Sequence, residues 1–167
     1  TLPMNGLTAR LSLDQLALQP GQTLAVTGAA GCYGGYVVQL AKAAGLRVIA
    51  DASSADEQLV RDLGADIVVP RGDNIAATIR GVAPDGVDGL ADGAVQNELA
   101  VGAVRDGGAF ASVRGFKGAD ERGIRFHVTM VRAYDHRADL LDQLREQVEA
   151  GLVTLRVAAT YPPEQAA

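Results

Sequence analysis

The feature that most constrains this chain is a short apolar strand that runs straight into a glycine-rich loop and then a helix. Residues 23–27, Thr-Leu-Ala-Val-Thr, read as the strand. The loop follows as Gly28-Ala29-Ala30-Gly31-Cys32-Tyr33-Gly34-Gly35. Residues 36–44 read as a helix with Val37, Leu40, Ala41 and Ala44 on one face, and Gly45 ends it. Ala29, Gly31 and Gly34 fit the A-x-G-x-x-G variant of the dinucleotide fingerprint. In that pattern Gly31 lets the backbone approach a pyrophosphate, and Gly34 lets the helix pack closely on the strand. The amides and positive end of a helix running from Cys32 then face the phosphates.

The same alternation continues along the chain. Strands are expected at 47–50, 67–69, 87–91, 109–113 and 124–128, with a final short one at 155–157. Helices are expected at 7–18, 55–63, 74–80, 95–104 and 135–150, and Ser53-Ser54 can cap the one at 55–63. Strand and helix alternating at this spacing predict βαβ units. The expected fold is α/β: a doubly wound, mostly parallel six-stranded sheet with helices on both faces, binding ligand at the carboxyl ends of its strands. With 167 residues this is one domain. Aromatic residues are 4% and Gly numbers 20, so the core must be built from small, closely packed residues. The chain does not begin with Met, and 161–167 reads as a turn opening a helix that stops. Both ends suggest a piece cut from a longer protein.

Several functions are disfavoured. A net charge of −5 argues against holding a nucleic-acid backbone. No apolar run is long enough to span a membrane, and the first residues lack a leader pattern, so the expected location is the cytoplasm. One cysteine, Cys32, excludes an internal disulfide, and the scattered His127 and His136 give no metal site. His127 alternates with apolar residues in a strand and reads as a structural histidine, satisfied or exposed. No Tyr is followed by Lys four residues later, which removes short-chain dehydrogenase chemistry. No catalytic side chain is assigned.

Colinear motifs then carry a family resemblance over essentially the whole chain. They are Gly6-Leu7-Thr8-Ala9, Val26-Thr27-Gly28-Ala29-Ala30-Gly31-Cys32-Tyr33-Gly34 and Gln39-Leu40-Ala41-Lys42-Ala43-Ala44-Gly45. Leu63-Gly64-Ala65-Asp66, Gly86-Val87-Asp88 and Asp106-Gly107-Gly108 follow. The chain resembles the nucleotide-binding domain of the medium-chain dehydrogenase/reductase superfamily, in its zinc-independent quinone oxidoreductase branch. Cys32-Tyr33 departs from the usual Gly-Val and is expected to place two large side chains beside the phosphates. Asp92-Gly93-Ala94 matches the family loop only loosely.

The resemblance implies direct hydride transfer from a nicotinamide to a quinone or an α,β-unsaturated carbonyl. It also implies a GroES-like domain before Thr1 that supplies much of the substrate pocket. Cofactor contacts are expected at Thr8, Ala30, Gly31, Cys32, Tyr33, Gly34, Asp51, Ser53, Ser54, Arg71, Gly93, Val113, Arg114 and Gly115. Asp51 lies 20 residues after Gly31, the distance of a ribose-binding acid, but the family position of that acid is Ala52. Asp51 would then point to the other side of its strand. Ser53 and Ser54 can donate to a 2′-phosphate with Arg71 as the nearest base, Asp56 and Glu57 would repel one unless they face solvent, and the resemblance favours NADP(H) while NAD(H) stays possible. The family also implies a homodimer through the strand near 124–128. Two rival readings are a non-catalytic NAD(P)-sensing domain and, more distantly, a methyltransferase binding S-adenosylmethionine, which Asp51 keeps open.

Overall fold

The structure is a computed structural model and describes residues 2–119, 122–134, 136–157 and 159–165. Six strands form one sheet in the order β3-β2-β1-β4-β5-β6. They are β1 (Thr23–Thr27), β2 (Arg47–Ala52), β3 (Ile67–Pro70), β4 (Val87–Asp92), β5 (Val104–Ser112) and β6 (Arg125–Val128). Every pairing is parallel. Parallel strands need crossovers, and α2 (Cys32–Ala43), α3 (Glu57–Asp62), α4 (Ile75–Val82) and α5 (Glu98–Val101) supply them. α1 (Leu7–Leu16) precedes the sheet and α6 (Ala138–Glu149) follows it. None of these helices is long and apolar enough to cross a membrane, among the described residues.

Strand side chains alternate between two cores, as a pleat requires. On one face Leu24, Val26, Val48, Ala50, Ala109 and Ala111 meet Leu16, Val37, Leu40, Leu140 and Leu144 of α1, α2 and α6. On the other, Ala25, Ile49, Leu90 and Phe110 meet Ile75, Ile79 and Val101 of α4 and α5. Burial on both faces explains why the inner strands β1, β2 and β4 read as short apolar runs rather than alternating ones. The first core is alanine-rich, as the composition predicts. The chain's three phenylalanines sit together on the second face, with Phe110 and Phe116 centroids 5.6 Å apart and Phe116 and Phe126 5.8 Å apart.

Several expectations are corrected. The helix expected at 95–104 shrinks to four residues, and β5 starts at Val104 instead of 109. The cause is Asp92, whose carboxylate takes the amides of Gln96 and Asn97 and holds 95–97 out of helical conformation. The helix expected from 55 starts at Glu57, and no side chain caps it. Ser53 donates instead to the carboxylate of Asp56, at 2.7 Å. Residues 155–157 form no strand. The edges of the sheet are already β3 and β6. This segment is instead tied to α2, where Gln39 Oε1 accepts from the Thr154 amide at 2.7 Å and its hydroxyl at 2.9 Å. The helix expected from 135 begins at Ala138, and Asp135 lies outside the described residues.

Candidate functional site

The sheet order reverses between β1 and β4, which lie side by side while the chain winds outward from each in opposite directions. The loops after β1 and β4 therefore separate at the carboxyl end, where doubly wound folds bind ligands. Gly28 makes the turn out of β1 with φ +69°. A Cβ there would lie 2.9 Å from the Gly93 carbonyl carbon, so the two loops approach backbone to backbone. Gly34 is closed in the same way, because a Cβ would press on the Gly28 carbonyl and bring the start of α2 off the loop.

Two buried carboxylates hold these loops. Asp51, 1% exposed, accepts the amides of Gly28 at 2.6 Å and Ala29 at 3.2 Å. Its other oxygen accepts from Arg71 Nε at 3.4 Å. Asp92, also 1% exposed, accepts the Thr27 hydroxyl at 2.6 Å and the amides of Gln96 at 3.0 Å and Asn97 at 2.8 Å. The Asp92 loop carries Val95 at φ 58° and Asn97 at φ 50°, a region that side chains disfavour. Gln96 Oε1 and Asn97 Oδ1 are buried there without hydrogen-bond partners.

Between the loops lies a cleft of about 500 Å³ lined by Gly28, Ala30, Gly31, Gly93, Ala94, Gln96, Asp56 and Arg71. That is the size range of small-molecule sites. Gly31 precedes α2 in extended conformation, and no side chain caps that helix. Its first amides and positive dipole end are thus left to an anion at the cleft.

Of the residues picked from sequence, the structure gathers Ala30, Gly31, Arg71 and Gly93 along this cleft, with Asp51 beneath it. Gly34 is buried behind the loop, and Cys32 is exposed at the first turn of α2. Ser53 reaches the cleft only through Asp56, while Ser54 lines a separate groove beside β3. Gly115 lines another groove with Phe116 and Lys117, following half-buried Val113 and exposed Arg114. Thr8 is on α1, its hydroxyl donating to the Met4 carbonyl at 2.7 Å. Gly28, Asp56, Ala94 and Gln96 were not among the picked residues. Gly28 was visible in the loop itself, as the glycine nearest the strand end, whereas nothing in the sequence marked Gln96.

Tyr33 corrects the expectation of a large side chain beside the phosphates. Its ring packs against Gly93, and its hydroxyl donates to Ser12 on α1 at 2.7 Å. Burial pushes the phenol well above its ordinary value of 10.0, outweighing the lowering by Ser12, so it stays neutral. Ser12 in turn meets Thr129 at 3.0 Å, just beyond β6, and Thr129 donates to Gln15 at 2.9 Å. His127 was read as satisfied or exposed, yet its Nε2 is buried without a partner. Among the described residues, no three of His, Cys, Asp and Glu gather into a metal-binding group.

The profile described as zinc-binding dehydrogenase matches residues 33–134. The chain is 30% identical over 154 residues to a 2-methylene-furan-3-one reductase of Solanum lycopersicum, covering 91% of this chain and 37% of that protein. It is 31% identical over 154 residues to an NADPH-dependent alkenal/one oxidoreductase, chloroplastic, of Arabidopsis thaliana, with the same shares of 91% and 37%. The crystal structure of an alcohol dehydrogenase superfamily protein from Novosphingobium aromaticivorans superposes with a TM-score of 0.82 at 26% identity. That match covers 93% of this chain and 52% of the other. The chain thus spans well under two thirds of each of these relatives.

Proposed function

This chain belongs to the zinc-binding dehydrogenase family, within the medium-chain dehydrogenase/reductase superfamily, and on that premise we propose that it is the dinucleotide-binding part of an NADPH-dependent reductase of quinones or α,β-unsaturated carbonyls. The observation that carries the reading is the glycine loop itself. It sits at the switch point, is held from below by Asp51, and opens an uncapped helix onto the cleft. Gly31, Ala30 and the start of α2 would hold the diphosphate. Gly93, Ala94 and Gln96 would border the part of the dinucleotide lying over β4. A bound nicotinamide would supply hydride to an electron-poor carbon. The chain's own residues bind and orient the dinucleotide and exclude water from one side of it.

The preference for NADPH is supported by Asp51 already accepting from the Gly28 and Ala29 amides and from Arg71. Arg71 is a cation lining the cleft, and the Arabidopsis relative is NADPH-dependent by its name. Asp56 opposes a 2′-phosphate, so the preference over NADH is expected to be modest. We place the acceptor's opposite wall in a GroES-like domain of the full-length protein.

The test is titration of the chain with each dinucleotide. NADPH should bind more tightly than NADH. Gly31→Val should weaken both at least tenfold, about 1.4 kcal/mol. The variant should still fold, because a Cβ at Gly31 meets only the Gly28 oxygen, at 3.2 Å. A folded variant with undiminished affinity would move the site elsewhere.

A further inference from the structure

We propose that Arg156, carried by the segment that follows α6, is a ligand of the dinucleotide diphosphate, reaching it from beside Ala30 and Gly31. The inference rests on the dinucleotide reading above and adds a residue that the glycine motif does not contain.

The segment is anchored before it reaches the loop. Val153 is buried at 1% exposure. Gln39 on α2 accepts both the amide and the hydroxyl of Thr154. The Gln39 side chain is itself fixed, 7% exposed, with Nε2 donating to the Gly35 carbonyl at 3.1 Å. Arg156 therefore starts from a defined point two residues further on. Its Nη2 donates to the Ala30 carbonyl at 2.8 Å. Ala30 and Gly31 both line the nucleotide cleft. A cavity of about 30 Å³ beside Gly31 and Cys32 is bounded by Thr154 and Arg156. The guanidinium thus lies against the peptide that leads into the start of α2.

Charge gives the contact a further purpose. A guanidinium has five N–H donors, and the Ala30 carbonyl takes one of them. Among the described residues no carboxylate forms an ion pair with Arg156, which borders the small cavity next to the cleft, whereas Arg71, in the cleft itself, is paired with Asp51 at 3.4 Å. An exposed, uncompensated cation beside a carbonyl, a weak partner, stands where the helix start also lacks a cap. A diphosphate would satisfy both. The planar fork of Arg suits two phosphate oxygens, and its charge adds to that of the helix terminus.

Arg156 could instead serve only to strap the segment to the loop, and three variants separate the roles. Arg156→Gln keeps a polar side chain with a shorter reach and removes the charge. Arg156→Lys keeps the charge and loses the fork. Arg156→Ala removes both. Each is titrated with NADPH and NADH at low and high salt, with thermal melts to confirm folding. A diphosphate ligand predicts that Arg156→Gln and Arg156→Ala lose five- to twentyfold for both dinucleotides, with a flatter salt dependence, and that Arg156→Lys recovers part of the loss. Unchanged affinity and salt dependence in Arg156→Gln would overturn the proposal and leave Arg156 as a strap. A loss confined to NADPH would overturn it in favour of a 2′-phosphate contact. If the unaltered chain binds neither dinucleotide while Arg156 is intact, the dinucleotide reading fails first, and this inference fails with it.

Discussion

At the scale of single residues, Asp51 shows how far sequence distance can mislead about role. It lies the right number of residues beyond Gly31 for a ribose-binding acid, and strand alternation sets it on the other side of β2 from Ala52, the family's position for that acid. What the alternation could not reveal is its partners, the amides of Gly28 and Ala29. Replacing it with Ala would leave those two donors without their acceptor and Arg71 without its partner. Asp51→Ala is expected to lower stability by about 1–3 kcal/mol, the cost of unmade bonds to buried donors. It should also weaken dinucleotide binding, since the loop loses its support. Chemical denaturation and titration check the two effects separately, and stability unchanged by the substitution would refute the supporting role.

His127 carries a pH signature. Burial, and then the charge of Arg125, push its imidazole below the ordinary 6.5. The unfolded chain therefore binds the proton more readily than the folded one. Stability is complete above pH 6.5 and falls as the pH drops through 6.5 towards the depressed value. His127→Gln should remove that slope and leave stability nearly flat over the same window. Denaturation midpoints measured between pH 5 and pH 8 would show it, and an identical slope in the variant would assign the effect elsewhere.

At the scale of elements, β6 is the one to test. It pairs with β5 along one side, and as the last strand of the sheet it presents unpaired backbone groups on the other. Such an edge invites a second strand. A homodimer that joins two β6 strands into one continuous sheet is expected, and sedimentation at rising concentration should detect it. A monomer throughout would count against the joint. All six strands of the sheet were legible, the inner ones from apolar runs bounded by glycine and polar turns, because parallel strands buried on both faces write themselves that way, and the edge strand β6 from apolar residues alternating around His127. The errors fell where a single side chain overruled local pattern. Asp92 dismantled the start of α5, and Gln39 drew 154–156 onto α2 instead of leaving them to a strand. The glycine loop was legible as a motif, but its neighbours across the cleft were not. Gly93 was picked through its family position, while Gln96 came to the site only because β4 lies beside β1.

At the scale of the whole molecule, the proposed function gives this chain one wall of a reaction site. The cleft opens at the carboxyl end of the sheet, and it is lined by backbone, glycine and a few polar groups with no assigned acid or base. Holding an acceptor within about 3.5 Å of a nicotinamide carbon needs a surface on the other side as well. The chain alone should therefore bind NADPH and reduce no quinone above a protein-free control at saturating cofactor. Saturable turnover by these 167 residues would show that the entire site lies within them.

The strand order also sets a timetable. The central strand β1 pairs with β2, its neighbour in sequence, but its other partner is β4, with Thr27 opposite Asp92. That contact closes a loop of 65 residues, and Thr27 donates across it to the Asp92 carboxylate. Contacts so distant in sequence are slow to form, because loop entropy is lost before they yield any stabilisation. As the chain leaves the ribosome, β1 is made before β4 and stays half-paired until β4 emerges. During that interval its apolar edge is open to other chains, so aggregation during synthesis is the hazard built into a sheet whose first strand lies at its centre.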